Sequence, residues 1–223
     1  DGSGVIYGCR ELIDHVGQYK DLKFPAQLTD APEMVLRGGC VGIQKMEYLP
    51  GRGVYEYPYT PESFPWFYDK EQWIKYLDML VENRMNSLYL WNGHPFASLV
   101  KLEEYPFAVE VDEETFKKNE EMFSFLTAEA DKRGIFVIQM FYNILLSKPF
   151  AEHYGLKTQD RNRPITPLIS DYTRKSVAAF IEKYPNVGLL VCLGEAMDTY
   201  EDDVEWFTKT IIPGVKDGLK ALG

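Results

Sequence analysis

Glu195 stands directly after an apolar run, Leu189-Leu-Val-Cys-Leu-Gly194, that is itself preceded by the turn signal Pro185-Asn186. Such a run reads as a strand buried on both faces. In parallel α/β sheets and barrels, the carboxyl ends of the strands are where ligands and chemistry gather. An acid placed there can exchange a proton with a substrate; the bland alternative is a carboxylate capping the next loop or helix. Two other expected strand ends share a pattern, Trp91-Asn92 and Tyr142-Asn143. An aromatic face stacks on the C–H surface of a sugar and an amide hydrogen-bonds its hydroxyls, so both pairs suit a saccharide subsite. Against this, the rings can simply finish a core and the asparagines cap turns. His94, in the loop after Asn92, could bind a hydroxyl or carboxylate, although a lone loop histidine is more often incidental.

Positioning these residues requires strands and helices in alternation, and the chain supplies them. Met34 to Gly42 reads as a first strand with a glycine-rich exit, followed by a long loop from Tyr48 to Tyr68 that carries Pro50, Pro58, Pro61 and Pro65. A loop so long and aromatic is expected to form a functional rim, or else to pack over the domain edge. Asp69 to Arg84 is a helix with Trp73, Tyr76, Leu77, Leu80 and Val81 on one face, and Ser87–Trp91 is the next strand. Asp112 caps a helix to Arg133 with Phe116, Phe123, Leu126 and Ala130 inward, and Gly134 stops it. Ile135 to Phe141 is the third strand. Ser170 is expected to cap a helix with Val177, Phe180, Ile181 and Tyr184 on its buried face, and a last helix runs from about Asp203 until Pro213-Gly214 breaks or kinks it.

Four consecutive strand–helix units, with no sign of an antiparallel hairpin, predict a parallel sheet with right-handed crossovers. The expectation is an α/β fold, the first half of a (β/α)8 TIM-type barrel over residues 31–223. Before it, Ile6, Cys9, Leu12, Ile13 and Val16 mark one face of a helix that nothing nearby covers. Residues 1–30 are accordingly expected to be the C-terminal end of a small α/β domain plus a linker, and the chain to be a piece of a longer protein.

The 223 residues are 45% hydrophobic and 14% aromatic, enough to build a core, with a formal net charge of −10 and no basic run. That balance argues against nucleic acid or an anionic membrane as partner, and no apolar stretch approaches the length of a membrane span. Cys9, Cys40 and Cys192 show no metal spacing; Cys40 and Cys192 read as small buried core residues. No metal or cofactor is expected, and oligomeric state is open.

Three stretches together resemble exo-acting glycoside hydrolases, notably the family 67 α-glucuronidases and, less closely, the family 20 β-hexosaminidases. Asp1-Gly-Ser-Gly-Val-Ile-Tyr-Gly-Cys-Arg-Glu-Leu12 resembles the last helix of the small domain before their barrel. Pro32 to Gly39, with Arg37-Gly38, resembles their first barrel strand, and Tyr184-Pro-Asn-Val-Gly-Leu-Leu-Val-Cys-Leu-Gly-Glu195 their fourth, where the general acid sits. Gly194 departs from the Asp that hexosaminidases carry before that Glu, and from the Asn of many retaining enzymes. The resemblance implies removal of a terminal sugar, such as a uronic acid, from an oligo- or polysaccharide in a bacterial, secreted or periplasmic system. Glu195 would be the general acid, its pKa raised by apolar walls such as Trp91 or Tyr142. The second carboxylate that hydrolysis normally takes would lie beyond residue 223. Arg37, Arg161 or Arg163 could pair a uronate carboxylate bidentately; by default each is a solvated or structural ion-pair residue. Two rivals differ in class: a non-catalytic glycan-binding barrel, and a metal-dependent sugar isomerase or epimerase, for which only Glu195 and His94 are visible as ligands.

Overall fold

A computed structural model describes residues 2–23, 29–49, 53–142, 145–160, 164–193, 197 and 199–223. Four parallel strands form its sheet: β1 (Gly38–Gly42), β4 (Ser87–Trp91), β5 (Phe136–Tyr142) and β6 (Val187–Cys192), side by side in chain order. Between them lie α2 (Lys70–Glu82), α4 (Glu113–Lys132) and α6 (Pro167–Lys183), with shorter helices α3 (Phe96–Leu99) and α5 (Lys148–His153) in the exit loops. Register runs straight across the sheet, Gly42 beside Trp91, Trp91 beside Met140 and Met140 beside Leu190. α/β with a parallel sheet is therefore the observed class.

Alternate residues along the strands, Leu88 and Leu90, Val137 and Phe141, and Val187, join the core with Leu77, Leu80, Phe123, Leu126, Val177 and Phe180 of the helices. Phe96 anchors it, 4.9 Å from Phe141 and 5.6 Å from Phe180 between ring centroids. The other face is less covered: Phe136 is 46% and Leu190 38% exposed, and Cys40 is exposed. Two expectations are corrected here. Only Val187 of β6 is fully buried, because among the described residues β6 pairs with β5 alone and one of its faces is little covered. Cys40 and the half-buried Cys192 are for the same reason not core residues.

The segment expected to be a plain aromatic loop contains an antiparallel hairpin, β2 (Met46–Leu49) paired with β3 (Gly53–Glu56). Its signal was present in Leu49-Pro-Gly-Arg-Gly53, a Pro-Gly dipeptide between two short runs of apolar and aromatic residues. Asp69 and Asp112 cap α2 and α4 through the backbone N–H groups of Gln72 and Thr115. α6 is capped by Thr166, not Ser170, with Pro167 in its first turn. The first strand also starts later than expected, leaving Met34, Val35 and Leu36 exposed.

The last helix is not broken at Pro213. α7 (Tyr200–Trp206) passes through a π segment, Phe207–Ile211, into α8 (Ile212–Ala221). Ile212 N–H bonds to Phe207 C=O, a wider turn directly before the proline that lets the chain stay helical without the missing donor. α1 (Gly2–Tyr19) keeps its apolar stripe open among the described residues, with Ile13 60% exposed. It sits by the amino ends of the strands, where Glu11 pairs with Arg84 and the Tyr7 hydroxyl reaches Met85 C=O at 3.5 Å. No described helix is long and apolar enough to cross a membrane.

Candidate active site

The carboxyl ends of β4 and β5 bring two of the expected sugar-stacking rings together. Trp91 and Tyr142 are half-buried, with centroids 5.1 Å apart and planes at 63°. Each closes its strand, and Tyr142 N–H bonds to Gly93 C=O at 3.0 Å, tying the two exits to each other.

Asn92 is turned inward. It is 1% exposed; its Nδ2 donates to Ile43 C=O at 2.7 Å and its Oδ1 accepts His94 N–H at 2.8 Å. With its own N–H on Met140 C=O, it laces β1, β4 and β5 together where they end. The amide that the sequence offered for hydroxyl recognition is committed to holding the site's frame. His94 lies half-buried with its Nε2 2.8 Å from the Tyr172 hydroxyl of α6, and burial pushes its imidazole down to about 3. Burial favours its neutral form, and it links the β4 exit to α6.

Arg37 is at the opposite edge. Its guanidinium donates to Arg84 C=O at 3.0 Å and to Met34 C=O at 2.7 Å, at the amino end of β1. The five residues of β1 span about 16 Å, so Arg37 shares no site with Trp91. Asn143, Arg161, Arg163 and Glu195 lie outside the described residues. The strand before Glu195 ends at Cys192, three positions earlier.

Two carboxyl groups that sequence reasoning missed converge nearby. Glu56, the last residue of β3, is 7% exposed; it accepts from the Gly93 N–H, and Gln44 Nε2 lies 3.4 Å from its Oε2. Burial pushes it up to about 7. Glu110 accepts the Lys148 backbone N–H at the start of α5, and burial, with the charge of Glu56 adding to it, pushes it up to about 8. Lys148 Nζ sits 5.5 Å from the Tyr55 ring centroid, so hairpin, β4 exit and β5 exit meet in one place. Acids with such values exchange protons near neutrality. Neither carries a sequence motif; the one pointer, to Glu56 alone, was the reading of the 48–68 segment as a functional rim.

An aromatic pair at strand ends suits the face of a sugar ring, and the Gly93 turn links it to a buried acid, Glu56, whose pKa burial raises. No family model matches the chain, and no curated protein does. A solved structure does match closely. It is a GH138 enzyme targeting pectin rhamnogalacturonan II, 83% identical over 100% of this chain with a TM-score of 0.94. The chain spans 26% of that enzyme's length. The resemblance to glycoside hydrolases drawn from the sequence thus stands at that level, but the similar enzyme belongs to neither family 67 nor family 20, and those two assignments are corrected.

Proposed function

We propose that this chain is part of a glycoside hydrolase acting on a pectic polysaccharide, with saccharide bound at the carboxyl end of the sheet. The observation that carries this reading is the 83% identity, over the whole chain, to a GH138 enzyme targeting pectin rhamnogalacturonan II. The fold supports a (β/α)8 TIM-type barrel: the four parallel strands neighbour each other in chain order, and one face of their sheet is less covered than the other. Residues 1–30 fit the end of a preceding small domain, since α1 lies against the amino ends of the strands. The bacterial, secreted or periplasmic setting is part of the same reading.

In this mechanism Trp91 and Tyr142 stack on a sugar ring while Glu195 protonates the leaving oxygen, with a second carboxyl group from a later strand. A terminal uronic acid remains the proposed leaving unit, but Arg37 cannot be its clamp. Lys148, beside Tyr55 and Glu110, is a cation that the described site offers.

The test uses a full-length protein carrying this chain, incubated with rhamnogalacturonan II. Sugar release is expected from the wild type and a loss of about 10²–10⁴-fold in turnover from Glu195→Gln, with saccharide affinity kept. Undiminished turnover in the variant removes Glu195 as the acid. Affinity without turnover in the wild type turns the reading to a glycan-binding barrel.

A further inference from the structure

We propose that Glu56 is a positioning residue for the Trp91–Tyr142 pair, acting through the peptide of Gly93. Its geometric half stands alone; its consequence for substrate rests on the saccharide-binding reading above. The Gly93 N–H donates to Glu56, while the Gly93 C=O accepts the N–H of Tyr142 at 3.0 Å. Trp91 lies two residues before that peptide and its ring meets Tyr142. One carboxyl group therefore bears on both rings. Contact is close: a Cβ on Gly93 would lie 2.3 Å from Glu56 Oε2 and 2.6 Å from Leu145 Cδ1. A glycine is what lets the acid seat against the turn. Gln44, just past β1, reaches the same oxygen, so the exit of the first strand is drawn in as well.

Burial favours the neutral acid of Glu56 and outweighs the two donors, Gly93 N–H and Gln44, that favour its anion. The groups that face it are Gln44, the Gly93 N–H, the Tyr59 hydroxyl and the Glu110 carboxyl, and none of these is a cation. Its second oxygen, Oε1, is buried with no hydrogen-bond partner among the described residues. Ionisation would set an unpaired charge in that enclosure and a second negative charge near Glu110. A two-stranded hairpin is marginal by itself, so β2 and β3 depend on this seat, and loss of the proton loosens the hairpin and the aromatic pair together.

The experiment follows Trp91 fluorescence in the full-length protein, isolated by subtracting the matching Trp91→Phe protein, from about pH 5 to about pH 9. The wild-type signal is expected to change with a midpoint near 7, the value to which burial pushes Glu56. Glu56→Gln holds the low-pH signal throughout; Glu56→Ala shows the displaced signal at every pH. On rhamnogalacturonan II, Glu56→Ala raises KM about tenfold with kcat within about threefold, and Glu56→Gln restores KM. Gly93→Ala, which keeps the carboxyl but pushes it off the turn, reproduces the alanine phenotype and serves if Glu56→Ala does not fold. Identical Trp91 signals in wild type, Glu56→Gln and Gly93→Ala overturn the proposal. Shifted signals with no sugar released by any form, wild type included, sink the hydrolase reading and leave the positioning role standing.

Discussion

Glu56 and Glu110 make stability depend on pH in a direction opposite to that of an ordinary salt-bridged acid. Both carboxyls have pKa values raised above the usual 4.5, to about 7 and about 8, by burial. The folded protein keeps protons that the unfolded chain has released, so their contribution is intact below about 4.5 and is lost as pH rises towards 7 and 8. Glu56→Gln removes one of the two titrations. Its Tm is expected to fall less steeply than that of the wild type between about pH 5 and about pH 8, which thermal melts of the full-length protein would show; parallel curves would mean that Glu56 does not titrate there. Little of this was legible in the sequence. That Trp91 and Tyr142 end their strands could be read, because strand ends have a signature, an apolar run that stops. Glu56 could not, because a glutamate at the end of a short hairpin looks like any surface acid until Gly93 and Leu145 are seen closing over it. Asn92 failed as a predicted ligand for a related reason: amide chemistry suits a hydroxyl and a buried backbone carbonyl equally, and only burial decides.

At the scale of elements, the helical and strand periods were well marked. Ser87–Trp91 appears with its expected bounds, α4 starts after its expected cap, Asp112, and α2 starts next to the expected Asp69. What pattern could not supply was pairing. The hairpin and the open face of β6 depend on which neighbours a strand finds, and single-strand apolarity does not carry that information. The proline in the last helix was over-read for lack of the π turn before it. Helix packing has its own test in α8. Gly214 and Gly218 lie one turn apart against α6, and a Cβ at 218 would come 2.6 Å from Ala178 C=O and 2.7 Å from Ile181 Cβ. Gly218→Ala should therefore destabilise by about 1–3 kcal/mol through overpacking, which exceeds the helix-propensity gain of about 1 kcal/mol. A raised Tm in the variant would contradict so close an α6–α8 contact.

For the whole molecule, the uncovered sheet face is the observable that separates a barrel from an open sheet. Cys40, beside Tyr89 in the register, is exposed on β1, and Cys9 is exposed on α1. In a full-length protein that closes a barrel over this face, Cys40 becomes interior and resists thiol reagents until denaturant is added. Equal labelling of Cys40 before and after denaturation would speak against closure.

The strand order carries one more consequence, for how such a chain assembles. Each strand of the main sheet pairs with the next one made, so no unit waits for a distant partner, and loop closure stays cheap throughout. During synthesis every completed strand–helix unit can dock on the one before it, with β6 pairing only with β5 among the described residues.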